Sequence, residues 1–269
     1  MSKVKINLIG GGFHHSPSTS GFEPLYITWV KDGSADISIY VDDAIKSHTN
    51  KNTKNYGWLC ESKTINPHYY QWCLENIEIL KQKFIKVFTH DVELSKMSDI
   101  FQLTQCSGKS FISLDDAYIY KKDKLVSMIA SNKTMCQEHM YRQEMIRKYS
   151  GQCDHFGRGF IDLPNVIDGL KKYCFSFVLE NATYSNMFTE KITNCFMCGT
   201  IPIYYGMENI GDFFNIDGII MLNDNFNIKD LSFDLYKIKF DAVIDNFERA
   251  KSLLTAEDYI YLNYIKDEI

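Results

Sequence analysis

The segment NMFTEKITNCFMCGTIPIYYG, residues 186–206, decides how the second half of this chain folds. Thr189 is placed to cap a helix, Ile192, Cys195 and Phe196 recur at the spacing of one helical face, and Gly199 stands where a left-handed terminating residue belongs. The run TIPIYYG is β-branched and aromatic, is closed by Gly206, and reads as a short strand covered on both faces. Upstream, YCFSFVLEN (173–181) is a similar apolar run ending in Glu180 and Asn181. Strand, loop, helix and strand make a βαβ unit, whose parallel strands direct their carboxyl ends at a ligand crevice. Glu190 and Lys191 then fall in the first helical turn. A lysine there opposes the macrodipole by about 0.3–1 kcal/mol, so the position asks for a negative partner. A phosphate held by the first-turn amides and Lys191 would supply one; a solvated Glu–Lys pair at a surface helix end is the plainer alternative. Glu190 would repel a phosphate and suits sugar hydroxyls instead.

Outward from this unit, alternation continues in both directions. KLVSMIASNK (124–133) reads as a buried strand, TMCQEHMYRQEMIRKYSG as a helix carrying Arg142 beside the stripe Tyr141, Met145 and Tyr149, and CDHFGRGF (153–160) as a short strand with a glycine loop. GIIMLNDNF (218–226) gives a last strand before a largely helical tail. In the first half, VKINLIGGG is a strand running into a glycine-rich loop, although Gly10, Gly11 and Gly12 do not meet the dinucleotide fingerprint. His14 and His15 in that loop are candidates for sugar or phosphate contact, against the plainer reading of solvated loop histidines. LYITWV and DISIYV, joined through Asp32-Gly33, are expected to pair as a hairpin. YGWLC (56–60), FIKVFTHD (84–91) and SFISL (110–114) are further expected strands, with a helix over 69–84. The polar stretch DDAYIYKKDK (115–124) plausibly links two α/β halves, an N-terminal domain over 1–122 and a C-terminal domain with helical tail over 123–269.

Composition excludes several classes. Hydrophobic residues are 45% and charged residues 23%, an ordinary globular balance. A formal charge of −5 argues against a general nucleic-acid or anionic-membrane binder and leaves small anions as the better guess. No apolar stretch reaches the length of a signal peptide or membrane span, so a cytoplasmic protein without a transmembrane anchor is expected. The eight cysteines lack the regular spacing of a disulfide scaffold, and the lone CxxC, Cys195 and Cys198, is expected to pack rather than bind zinc. The acidic pairs Asp42-Asp43 and Asp115-Asp116 read as strand-end or linker polarity, and no required metal or other cofactor is expected.

The second half resembles the α-1,3-fucosyltransferase family, through KLVSMIASNK, Arg142 nine residues after Lys133, DHFGRG, and above all FSFVLEN followed by FTEKITNCFMCGTIPIYYG. The resemblance covers about residues 124–222 and fades over 1–115. It implies a GT-B type α/β fold, two Rossmann-like domains facing a cleft, and inverting transfer of fucose from GDP-fucose to a glycan acceptor. Carried over by position, Arg142 and Lys191 resemble the family's cations for the donor diphosphate, and Asn181 and Glu190 its contacts to the nucleotide-sugar. Negative charge grows on the departing diphosphate, which two fixed cations beside a helix N-terminus would stabilise. Glu61, followed by Pro67 at a slightly longer gap than the family pattern, resembles the general base on the acceptor hydroxyl; Asp91 and Glu93 are the fallback. Met187 stands where the family usually has tyrosine, and Tyr205 where it has tryptophan, which bears on donor preference. Transfer from another nucleotide sugar such as GDP-mannose, or nucleotide and glycan binding without turnover, are the alternatives.

Overall fold

The computed structural model describes residues 3–11, 18–47, 49–106, 108–134 and 137–268; His14, His15 and Cys136 lie outside these. The chain divides into two α/β units, Met1–Ser107 with Leu254–Ile269, and Gly108–Leu253.

Unit 1 contains β1 (Val4–Ile9), β2 (Ile27–Val30), β3 (Ile37–Val41), β4 (Lys54–Leu59), α1 (Pro67–Glu75), α2 (Ile77–Lys83), β5 (Lys86–Thr89), α3 (Val92–Met97) and β6 (Phe101–Leu103). The strands form one parallel sheet in the order β2-β1-β3-β4-β5-β6. Both faces are buried, as the unbroken apolar runs require. Tyr40, Leu59, Tyr70, Leu80, Val87 and Leu94 form the core on one side. On the other, Ile6, Ile39, Tyr56, Trp58 and Phe88 pack against Ala256, Ile260 and Ile265 of the C-terminal segment.

The expected hairpin is absent. β2 and β3 both run parallel to β1 and lie on opposite sides of it, β2 beside its first half and β3 beside its second. Because Val30 and Ser38 are both level with Asn7, residues 31–36 need only cross one face of β1. Asn7 holds that crossing: it is 1% exposed, its Nδ2 donates to Ala35 O (2.8 Å) and Ser38 Oγ (3.1 Å), and its Oδ1 accepts from Ala35 N (3.3 Å). Asp32 and Gly33 do turn, with Gly33 at φ 73° and Ser34 N bonded to Asp32 Oδ1, but they turn a crossover. The helix expected over 69–84 starts at Pro67, where a proline lacking its N–H is tolerated, and breaks at Asn76.

Unit 2 contains β7 (Lys124–Ile129), α4 (Gln137–Lys148), β8 (Asp154–Phe156), β9 (Tyr173–Leu179), α5 (Glu190–Met197), β10 (Ile201–Tyr205), β11 (Ile220–Met221), α6 (Phe233–Ile238) and α7 (Phe240–Ser252). Its sheet, β11-β10-β9-β7-β8, is again all parallel, and β9-α5-β10 is the βαβ unit read from residues 173–206. Thr189 caps α5, and Gly199 ends it at φ 64°, where a Cβ would stand 2.7 Å from Ile119 Cγ2. Cys195 and Cys198 are buried, as a packing role requires.

The expected border at 122/123 moves to 107/108. SFISL is not a strand: its backbone is served by α5, whose Asn194 Oδ1 accepts from Phe111 N (2.9 Å) and Ser110 Oγ (2.7 Å). The polar stretch that follows is no free linker either, since Tyr118 N and Tyr120 N bond to the Met197 and Cys198 carbonyls and Lys122 Nζ donates to Cys198 O (2.7 Å). Residues 108–122 are thus tied to the middle and the C-terminal end of α5. The tail also departs from the expected division: α8 (Ala256–Ile260) and the π-turn Tyr261–Ile265 belong to unit 1. There Glu257 accepts from Thr19 N and Oγ1, and Asp258 from Leu25 N (2.8 Å) and Tyr26 N (2.9 Å).

Replacing Asn7 by Ala should destabilise the protein by about 1–3 kcal/mol, because the Ala35 amide and carbonyl lose their buried partner. Urea denaturation measures this, and an unchanged midpoint would remove Asn7 from that role.

Candidate active site

In unit 2, the residues expected to act together converge on the carboxyl edge of the sheet. A cavity of about 310 Å³ opens there, and Arg142, Glu190 and Lys191 line it with the β7 end (Ile129 to Ser131) and the β9 end (Phe177 to Leu179). That volume lies at the small end of ligand pockets, room for part of a nucleotide sugar.

Arg142 comes from α4 and is 5% exposed. Its Nη2 donates to Leu179 O at 2.8 Å and to Asn181 Oδ1. His139, one turn earlier, brings Nε2 to 3.2 Å from the same oxygen. Burial, and then the Arg142 charge, push the His139 pKa down, so its ring favours the neutral form. Asn181 therefore sits where the strand ends and orients the guanidinium.

Lys191 finds its negative partner within the protein. Glu180, 1% exposed at the end of β9, accepts from Thr189 N (2.9 Å), Thr189 Oγ1 (2.7 Å) and Lys191 Nζ (3.3 Å). The ammonium also donates to Thr189 Oγ1 (2.9 Å) and lies 3.7 Å from Glu190 Oε1. Burial opposes the charge on Lys191, but the Glu180 and Glu190 carboxylates outweigh it and raise the pKa. A lysine in the first turn is thus held by a buried carboxylate eleven residues upstream, a pairing that local spacing does not reveal. An incoming anion would share this ammonium with Glu180.

Glu61 lies in unit 1, directly after β4 and Cys60, half-buried. Its Oε1 accepts from Ser62 N (2.8 Å), its carbonyl accepts from the Tyr70 hydroxyl (2.6 Å), and its N–H bonds to Asp42 Oδ1 (3.2 Å). The fallback residues are otherwise engaged. Asp91 caps α3 through Glu93 N and Leu94 N and pairs with Lys63; burial opposes its charge, yet Lys63 and these amides hold its carboxyl low. Glu93 forms a surface pair with Lys96. Tyr205, at the end of β10, stacks on Tyr141 with centroids 4.2 Å apart, and Met187 is buried. Among the described residues no three His, Cys, Asp or Glu side chains gather to hold a metal ion, and no helix is long and apolar enough to cross a membrane.

Two all-parallel α/β units, one of them with Arg142, Glu190 and Lys191 on a cavity at a strand edge, fit the GT-B type of fold. Three solved structures agree in fold: an α1,3-fucosyltransferase (16% identity, covering 91% of this chain and 80% of that one, TM-score 0.55), and structures titled as α1,3-fucosyltransferase with GDP (16%, 91% and 81%, 0.51) and with GDP-fucose (15%, 91% and 81%, 0.50). A search of curated proteins finds no match. Residues 119–247 match the model of the glycosyltransferase family 10 (fucosyltransferase) C-terminal domain.

Changing Glu180 to Gln should cost about 3 kcal/mol, since Lys191 loses its buried counter-charge and Thr189 one charged acceptor. Chemical denaturation tests this. A Glu180→Gln, Lys191→Met double variant should recover part of the loss, and strict additivity would show that the two are not coupled.

Proposed function

We propose that the protein transfers fucose from GDP-fucose to a hydroxyl of an acceptor glycan, with inversion at the anomeric carbon. The observation that carries this reading is the convergence of Arg142, Glu190 and Lys191 on one cavity at the first turn of α5, within the family's domain. The solved fucosyltransferases with GDP and GDP-fucose, alike in fold, support the choice of donor. Arg142 and Lys191 hold the diphosphate and stabilise the charge that grows on it as GDP leaves. Arginine grips phosphate oxygens through two donors, while lysine acts as a point charge. Glu190 accepts from sugar hydroxyls, and Asn181 keeps Arg142 aimed. Glu61 takes the proton of the acceptor hydroxyl as it attacks from the side opposite the departing GDP. The scheme assigns no metal or other cofactor and gives the neutralisation of the diphosphate to Arg142 and Lys191. A cytoplasmic setting is part of the proposal and fits the seven described cysteines, all free thiols.

Lys191→Ala should weaken GDP binding by about 10- to 100-fold, the worth of a charged hydrogen bond. Titration calorimetry reads it directly, and unchanged affinity would contradict the diphosphate role. A donor panel including GDP-mannose and UDP-sugars should show turnover with GDP-fucose above the rest; preference for another donor would revise the substrate. Glu61→Gln should abolish transfer and leave GDP affinity intact, whereas retained turnover would take Glu61 out of the base role.

A further inference from the structure

Beside Glu61 stands an acidic residue whose geometry strand-end polarity does not explain. Asp42, directly after β3, adopts φ 50°, a left-handed conformation that residues with a Cβ seldom hold and that clusters at functional positions. Its Oδ1 accepts from Cys60 N at 2.8 Å and Glu61 N at 3.2 Å, so one carboxylate oxygen closes the open end of β4. From the other side the Tyr70 hydroxyl, on α1, donates to Glu61 O at 2.6 Å. Both backbone groups of Glu61 are thereby held by side chains from neighbouring elements, while its own Oε1 rests on Ser62 N. A surface turn needs no such clamp. Burial, opposed by the Glu61 and Cys60 amides, pushes the Asp42 carboxyl up to about 6. The other groups in its field are Glu61 and Asp43, the latter paired with Lys46 at 2.7 Å, and the thiols of Cys60 and Cys73, which burial drives upward.

We propose that Asp42 is a positioning residue for Glu61, its carboxylate oxygen fixing the backbone that carries the glutamate. The inference rests on Glu61 being the base. A glutamate whose backbone shifts by about an ångström meets the acceptor hydroxyl less well, so loss of the clamp falls on the rate of transfer and not on donor binding.

The experiment is kcat and donor KM for the wild type, Asp42→Asn and Asp42→Ala, with GDP affinity measured alongside. Asparagine tolerates the left-handed conformation and keeps the accepting oxygen but carries no charge. Asp42→Asn should therefore keep kcat within about threefold of the wild type. Asp42→Ala removes the clamp as well, and should lower kcat about 10- to 100-fold with donor KM and GDP affinity unchanged. A wild-type kcat in Asp42→Ala overturns the proposal, as does a kcat loss there matched by an equal loss of GDP affinity, or a loss in Asp42→Asn as large as in Asp42→Ala. If Asp42→Ala does not fold, Asp42→Gly, which adopts the left-handed conformation without the accepting oxygen, decides by the same kcat loss. Glu61→Gln separates the failures: turnover in that variant sinks the base and this inference together, whereas an inactive Glu61→Gln beside a wild-type-like kcat in Asp42→Ala sinks this inference alone.

Discussion

The arrangement of unit 2 depends on one buried carboxylate. Glu180 ends β9 and receives three donors, the Thr189 amide, the Thr189 hydroxyl and the Lys191 ammonium. A charge taken out of water is tolerated only when partners replace its hydration, and here both oxygens are engaged. The same contacts draw the start of α5 to the end of β9. This fixes where Glu190 and Lys191 meet the cavity, and the helix then reaches on, through Thr193 and Asn194, to hold residues 108–111. The strand end, the helix cap and the polar rim of the cavity are one construction.

What could be read in advance was what periodicity and end signals encode. Thr189, the stripe Ile192, Cys195 and Phe196, and Gly199 place α5 to the residue, and the apolar runs at 173–179 and 201–205 become β9 and β10. Four of the five candidate site residues, Arg142, Asn181, Glu190 and Lys191, gather at one edge; Glu61 belongs to unit 1. Their roles rest on resemblance rather than on pattern. The misreadings share a cause. LYITWV and DISIYV look like hairpin partners, yet β1 takes the place between them, because local turn chemistry cannot say which strand supplies the ladder. SFISL looks like a strand, yet a helix more than eighty residues away takes its Phe111 amide and Ser110 hydroxyl. The partner of Lys191 stood in FVLEN, and the clamp on Glu61 in the pair Asp42-Asp43, but both act across loops whose course the sequence does not spell out.

Unit 1 is made of two stretches of chain. Its sheet keeps one face covered only because Ala256, Ile260 and Ile265 return to it, and the segment leading into β2 is anchored by the carboxylates of Glu257 and Asp258. During synthesis the strands of that sheet are made first, and the helix that shields them emerges after unit 2 is finished. Until residues 256–265 are made, the strands of unit 1 must therefore wait with an apolar surface open to chaperones or to other nascent chains.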